Sequence, residues 1–139
     1  MHIDTISALG LSIRVGTTSV REPRRPLLVF NGIGASIELV APFTEAMQRV
    51  GIPSVVFDVP GVGGSKKTLK PYRFSGLAKL AGSVLDEQNI HGSVDVLGVS
   101  WGGALAQQFA KDYPDRCDKL VLAATSTGAI MSRDVWRRS

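Results

Sequence analysis

One serine in this sequence has the surroundings of a catalytic nucleophile. Ser100 lies at the centre of residues 98–102 (GVSWG), after a short apolar run and before a helix-like pattern. Gly-x-Ser-x-Gly between a strand and a helix marks a nucleophilic serine, because the sharp turn exposes Oγ and the glycines remove Cβ atoms that would collide. The alternative is a glycine-rich turn whose serine only caps the helix. The placement of the motif favours the nucleophile.

Acyl transfer at a serine also needs backbone N–H groups that stabilise the developing oxyanion. One donor should come from the residue after the nucleophile, Trp101, and a second from the glycine-rich loop after the first central strand, where the candidate is Ile33. Gly32 and Gly34 would let that backbone approach a substrate closely. The predicted substrate-binding residues are Asn31, Gly32 and Gly34.

Strand and helix patterns alternate along the chain and would position these loops. Alternating residues at 3–7 and 11–15 predict an antiparallel hairpin around Gly10. A continuous apolar run at 27–30 predicts a strand buried on both faces, and the segments 53–59, 94–97 and 120–124 predict three further buried strands. Apolar residues at helical spacing predict three intervening helices. Their predicted core faces are Leu39, Phe43, Met47 and Val50, with Pro42 at a start or a kink; Phe74, Leu77, Ala81 and Val84; and Leu105, Phe109 and Tyr113, stopped by Pro114.

This alternation predicts an α/β fold, with a mostly parallel sheet and helices on both faces. In such sheets, ligands gather at the carboxyl ends of the strands. Three glycine-rich segments fall at such ends, at 31–34, 58–65 and 98–103. Asp58, at a strand end, is expected to fix the following turn through side-chain hydrogen bonds rather than to act in catalysis.

Two segments resemble nucleotide-binding motifs, but each lacks a glycine that the motif requires. Gly32 and Gly34 with Asp58 mimic a dinucleotide-binding unit, but the fingerprint needs a third glycine where the chain has Ile37. A phosphate-binding loop needs glycine immediately before its Lys-[Ser/Thr] pair, and Lys66 occupies that place. No nucleotide-binding site is therefore predicted.

Composition is that of one globular domain. The chain has 139 residues, 44% hydrophobic and 20% charged, with a net charge of +4. Its basic residues form small groups without interleaved aromatic residues, which argues against nucleic-acid binding. A single cysteine, Cys117, fits a reducing compartment. With no secretory signal and no apolar window of ~20 residues, the predicted location is the cytoplasm, without a transmembrane segment.

Taken together, several segments resemble the α/β-hydrolase superfamily, and more closely the intracellular medium-chain poly(3-hydroxyalkanoate) depolymerases. The resemblance runs over about residues 26–131 and rests on FNGIGASIELV, FDVPGVGGS, PYRFSGLAKLA, GVSWGGALAQQFA and DYPDRC. It implies Ser100 as the nucleophile, with Ile33 and Trp101 as oxyanion donors and no metal or organic cofactor. The implied substrate is an aliphatic polyester of 3-hydroxy acids or a small ester, with a polymer granule surface as a possible partner.

The chain departs from the family pattern after its nucleophile. In this fold the triad runs Ser, acid, His along the chain, but the only histidines are His2 and His91. We expect His91 to be a surface residue at the amino end of the sheet, roughly 15 Å from the serine. We therefore expect little or no turnover by this polypeptide alone. The alternatives are another carboxylesterase or lactonase of this fold, or a non-catalytic binding remnant.

The last expectations concern the extent of the domain and its self-association. Residues 1–131 should form the N-terminal part of an α/β-hydrolase domain that ends after about the sixth strand. Residues 132–139 should form a tail or the start of a lid region. The last strand would be left as an apolar edge, so self-association through that edge is expected.

Overall fold

The computed structural model describes residues 1–31, 35–60 and 73–123. The predicted glycine loop at 32–34, the segment 61–72 with Ser65 and Lys66, and the predicted tail at 132–139 lie outside the described residues. The strands are β1 (His2–Ala8), β2 (Leu11–Thr17), β3 (Leu27–Phe30), β4 (Ser54–Phe57), β5 (Val94–Val99) and β6 (Cys117–Ala123). The helices are α1 (Ile37–Arg49), α2 (Phe74–Glu87) and α3 (Trp101–Asp112), and a 3₁₀ turn spans Pro114–Arg116.

The described strands form one mixed sheet in the order β1-β2-β4-β3-β5-β6. β1 and β2 form the predicted hairpin, and β2 pairs antiparallel with β4. The four remaining strands are parallel, with β3 between β4 and β5. The carboxyl ends of β3, β4 and β5 therefore lie side by side at one edge of the sheet. This confirms the predicted α/β fold class.

Helices cover both faces of the sheet, because alternate residues of each buried strand point in opposite directions. On one face, Leu28 and Phe30 of β3 join a large core with side chains of α2 and α3, among them Phe109. On the other face, Val29 and Val56 join a smaller cluster with Ile37 of α1. The larger core packs the helix that follows Ser100 against β3 and β5.

The predicted core face of α1 is wrong at three of its four residues, and only Met47 among them packs against the smaller cluster. Leu39 is 71% exposed and Val50 is 55% exposed, whereas the fully buried residues of α1 are Ile37 and Thr44. A polar residue occupies a core position because the Thr44 hydroxyl donates to the carbonyl of Ala41, at 3.0 Å. A prediction from the spacing of apolar residues does not count a threonine as buried. The predicted core face therefore lies on a different side of the helix from the observed one.

Two other predictions change with the structure. Pro42 lies inside α1, which begins five residues earlier at Ile37, so a helix start at the proline is wrong, while a kink at Pro42 stays a prediction. β6 is not buried on both faces, since Val121 is 53% exposed. The strand is the last in the described sheet order and pairs only with β5, so neighbouring elements cover it incompletely.

None of the helices in the described part of the chain combines the length and the apolar character that a bilayer crossing requires.

Candidate active site

Ser100 occupies the turn between β5 and α3 and is exposed. Its backbone has φ 55° and ψ −120°, which a residue with a Cβ rarely adopts. Such strain is concentrated at functional sites, where the surrounding structure enforces it. The strained turn between strand and helix leaves the serine accessible to solvent.

The glycines on either side of Ser100 are required by close packing. A Cβ on Gly98 would lie 2.6 Å from the carbonyl oxygen of Gly102 and 2.7 Å from the Cβ of Ala106. A Cβ on Gly102 would lie 2.2 Å from the carbonyl oxygen of Phe30 and 2.4 Å from that of Asn31. All four distances are shorter than real Cβ contacts. Strand and helix can therefore approach this closely only because glycine has no Cβ.

Backbone hydrogen bonds hold the turn in place. The Ser100 N–H donates to the carbonyl of Ala123 on β6 at 3.0 Å, and the Gly103 N–H donates to the carbonyl of Ser100 at 2.9 Å. The Ser100 amide is thus engaged by the sheet. Trp101 is the first residue of α3, where an N–H has no acceptor within its own helix. Its position suits an amide that would bind an oxyanion at the helix N-terminus.

The Trp101 side chain packs against α2. Its ring system lies 5.5 Å from that of Phe74, at an interplanar angle of 43°. Phe74 is the first residue of α2. The indole therefore helps to join the amino ends of α2 and α3 beside the serine.

Asn31 follows β3 directly and lies next to the first turn of α3. Its carbonyl oxygen is one of the atoms that a Cβ on Gly102 would meet. Its side-chain Nδ2 donates to the carbonyl of Ser36 at 3.2 Å. The structure thus brings Asn31, Ser100 and Trp101 together, whereas Gly32, Ile33 and Gly34 lie outside the described residues.

Asp58 has a structural environment that sequence reasoning located only in part. Its side chain is fully buried, Oδ1 accepts from the N–H of Ile37 at 2.9 Å, and Oδ2 accepts from Arg14 Nη1 at 3.2 Å. The expected partners lay in the following turn, but these two lie on α1 and β2. Arg14 also binds Glu38, and that hydrogen bond lowers the pKa of Glu38 to about 2.

The histidine nearest in sequence to Ser100 lies at the opposite end of the sheet. His91 precedes β5, whose whole length separates it from Ser100, and its side chain is 68% exposed. Its Nδ1 lies 3.4 Å from Asp86 Oδ1. This is the surface position expected for His91. Among the described residues, no cluster of three or more His, Cys, Asp or Glu side chains could hold a metal ion.

The sequence and the fold both match known hydrolases. A family model for the alpha/beta hydrolase fold matches residues 25–138. The chain is 56% identical over 127 residues to the poly(3-hydroxyalkanoate) depolymerase of Ectopseudomonas oleovorans, covering 91% of this chain and 44% of that protein. It is 32% identical to the putative carbamate hydrolase RutD of Caulobacter vibrioides, covering 88% of this chain and 44% of the relative.

A solved structure shares the fold at low sequence identity. The esterase EaEST from Exiguobacterium antarcticum superimposes with a TM-score of 0.76 at 22% identity, over 95% of this chain and 48% of the esterase. The chain spans less than half the length of the curated relatives described above, 44% in each case. With the strained serine turn and the mostly parallel sheet, these matches establish that the chain belongs to the alpha/beta hydrolase fold family.

Proposed function

We propose that this chain carries the nucleophile of a serine hydrolase that cleaves the ester bonds of poly(3-hydroxyalkanoate) through an acyl-enzyme. The observation that carries the proposal is the exposed Ser100 at φ 55° in the turn between β5 and α3. The identity of 56% to a poly(3-hydroxyalkanoate) depolymerase supports the choice of substrate.

In the proposed reaction, Ser100 Oγ attacks the ester carbonyl carbon and forms a tetrahedral oxyanion. The N–H groups of Trp101 and Ile33 would stabilise this oxyanion, and one such donor contributes ~3 kcal/mol. The C–O bond to the alcohol then breaks, and the leaving oxygen takes the proton that Oγ has lost. Water hydrolyses the acyl-enzyme in a second step and regenerates the serine hydroxyl. Asn31, Gly32 and Gly34 are proposed to contact the substrate.

The same proposal includes a low activity for the 139-residue chain by itself. A serine hydroxyl is a weak nucleophile unless an adjacent base removes its proton. No histidine follows Ser100 in the sequence. What would remain is the smaller acceleration that an oxyanion hole and substrate binding supply without the full triad.

The test is hydrolysis of p-nitrophenyl alkanoates by the purified chain and its Ser100→Ala variant. We expect a slow release of p-nitrophenol that depends on Ser100, with turnover orders of magnitude below that of an intact triad enzyme. Release that is identical in Ser100→Ala would contradict the role of Ser100. Robust turnover that Ser100→Ala abolishes would contradict the proposed low activity.

The substrate class is tested with a longer version of this protein, whose sequence continues after residue 139 and carries a triad acid and a histidine. We expect release of 3-hydroxy acids from medium-chain polyester granules. Cleavage of small esters or lactones with no action on the polymer would favour another esterase of this fold. Granule binding without hydrolysis would favour a binding role.

We also propose a cytoplasmic location and self-association. The single cysteine suits a reducing compartment. β6 ends the described sheet and pairs only with β5, and its Val121 is 53% exposed, so its free edge could pair with a second copy. Size-exclusion chromatography should report dimers or larger species, and a clean, stable monomer would contradict the association.

A further inference from the structure

A buried carboxylate directly after β4 caps the helix that begins beside the candidate active site. Asp58 is 0% exposed, and its Oδ1 accepts from the N–H of Ile37, the first residue of α1, at 2.9 Å. Ser36 immediately precedes the helix but makes no side-chain cap hydrogen bond. The N–H at the start of a helix is usually satisfied by a local capping side chain. Here Asp58, which is 21 residues away, accepts from it instead.

Arg14 holds the Asp58 carboxylate from the neighbouring strand. Its Nη1 donates to Asp58 Oδ2 at 3.2 Å, and its carbonyl accepts from the N–H of Asp58 at 3.0 Å. Both oxygens of the carboxylate are thus engaged, one by β2 and the other by α1. A buried carboxylate held at two points has little freedom to rotate, so the start of α1 is fixed relative to the sheet.

A second bond ties the start of α1 to the end of β3. Asn31 Nδ2 donates to the carbonyl of Ser36 at 3.2 Å. Ser36 immediately precedes Ile37, the residue that Asp58 binds. The two bonds together hold the residues on either side of the segment 32–34.

The end of β3 in turn contacts the turn that carries the serine. The missing Cβ of Gly102 lets the first turn of α3 lie against the carbonyl oxygens of Phe30 and Asn31, at 2.2 Å and 2.4 Å from where that Cβ would be. Only Trp101 separates Gly102 from Ser100. A continuous set of contacts therefore leads from Asp58, through α1 and β3, to the serine turn.

We infer that Asp58 is a positioning residue for acyl transfer, holding the start of α1 and the end of β3 in register with Ser100 and Trp101. The inference rests on the proposed function, because it concerns the reaction of Ser100. Reacting groups must lie within a fraction of an ångström of the productive geometry, and a displacement of about 1 Å can slow a reaction by about 100-fold. Loss of Asp58 should therefore slow the chemical step rather than weaken substrate binding.

The first test measures acylation of the 139-residue chain by an excess of p-nitrophenyl butanoate, from the p-nitrophenol released in the first turnover. Asp58→Ala should lower the acylation rate constant at saturating ester by about 10- to 100-fold. The ester concentration that gives half the maximal rate should stay within about twofold, since positioning acts on the reacting atoms. Asp58→Asn keeps an oxygen that accepts from Ile37 and should recover most of the rate.

Two further variants separate this inference from the proposed function. Asp118→Asn is the matched control for Asp58→Asn. Asp118 lies near the start of β6, where it pairs with Arg25, and its replacement should leave acylation unchanged. Ser100→Ala should abolish it. If acylation does not depend on Ser100, the proposed function fails. If it depends on Ser100 but proceeds equally fast in Asp58→Ala, only the positioning role fails.

A second readout does not require turnover. In ¹H–¹⁵N spectra, Asp58→Ala should shift the backbone amides of Ser100 and Trp101, whereas Asp58→Asn should shift them much less and Asp118→Asn not at all. Unmoved Ser100 and Trp101 amides in folded Asp58→Ala would overturn the inference, whatever the acylation rate. If Asp58→Ala does not fold, Arg14→Gln takes its place, and unchanged amides in that variant would overturn the inference.

Discussion

The first turn of α3 lies directly against the end of β3, with the missing Cβ of Gly102 placed 2.2 Å from the carbonyl oxygen of Phe30. No side chain separates the helix that follows Ser100 from the strand that precedes Asn31. The serine turn and the loop that begins at Asn31 are therefore coupled through backbone contact. The geometry of the candidate site depends on how closely these two elements pack.

Gly102→Ala should destabilise the protein because the new Cβ would collide with backbone atoms, which cannot rotate away. Overpacking of this kind typically costs about 1–3 kcal/mol, and we expect the upper part of that range. Urea unfolding would measure it. The matched control is Gly82→Ala in α2, where an added Cβ meets nothing within 4 Å. That change should stabilise the helix by about 0.5–1 kcal/mol, and equal effects of the two substitutions would contradict the proposed crowding at Gly102.

Ser100→Gly should be more stable than Ser100→Ala, although both remove the nucleophile. Alanine keeps a Cβ at φ 55°, whereas glycine adopts positive φ without this steric penalty. Relief of the strain is worth about 1–3 kcal/mol, less about 0.5–1 kcal/mol for the greater entropy of glycine in the unfolded chain. We therefore expect a difference of about 1 kcal/mol in thermal or urea unfolding. A Ser100→Gly variant less stable than Ser100→Ala by about 0.5–1 kcal/mol would show that the turn stores no strain.

Ile37→Ala and Leu39→Ala test which face of α1 packs on the sheet. Ile37 is 0% exposed and Leu39 is 71% exposed. Truncation of the buried isoleucine should cost about 2–4 kcal/mol because it leaves a cavity. Truncation of the exposed leucine should change stability by less than about 0.5 kcal/mol. A larger loss at Leu39 than at Ile37, measured by urea unfolding, would reverse the assignment of the helix faces.

Glu38→Gln should remove a pH-dependent contribution to stability. The Arg14 hydrogen bond lowers the pKa of Glu38 from 4.5 to about 2 in the folded protein. Because the folded pKa is depressed, the contribution is present above pH 4.5 and is lost as the pH falls through about 2. The urea midpoint of wild type should therefore exceed that of Glu38→Gln from neutral pH down to about 4.5 and converge with it below.

The size of the Glu38 effect should be small, since the side chain is 53% exposed and solvent screens its charge. About 1 M NaCl should reduce the difference further by screening. A difference that persists at pH 2 or is insensitive to salt would show that Glu38 acts through packing rather than through its charge.

Several parts of the fold could be predicted from the sequence because the signals were local. The continuous apolar run of β3 located a strand that is buried at every position. The mainly apolar residues before the serine motif located β5 in the same way, although Asp95 interrupts them. The glycines around Ser100 predicted the sharp turn, since a Cβ at Gly98 or Gly102 would collide with the opposing element.

Only the tertiary structure decided which faces of the elements were buried. In α1, Thr44 is buried and Leu39 is exposed, contrary to their polarity, because packing and a hydrogen bond to Ala41 determine the core face. In β6, the apolar run resembled a buried strand, yet the strand lies at the end of the described sheet, where it pairs with β5 alone among the described strands. The position of an element in the sheet depends on contacts that its own residues do not encode.

The partners of Asp58 show the same limit at the candidate site. The sequence by itself placed Ser100 in a nucleophile turn and Asp58 at the end of a strand. Only the folded chain joined Asp58 to Arg14, 44 residues away, and to Ile37, 21 residues away. Local patterns report how the backbone turns, whereas a buried carboxylate finds its donors among elements that meet only when the sheet is assembled.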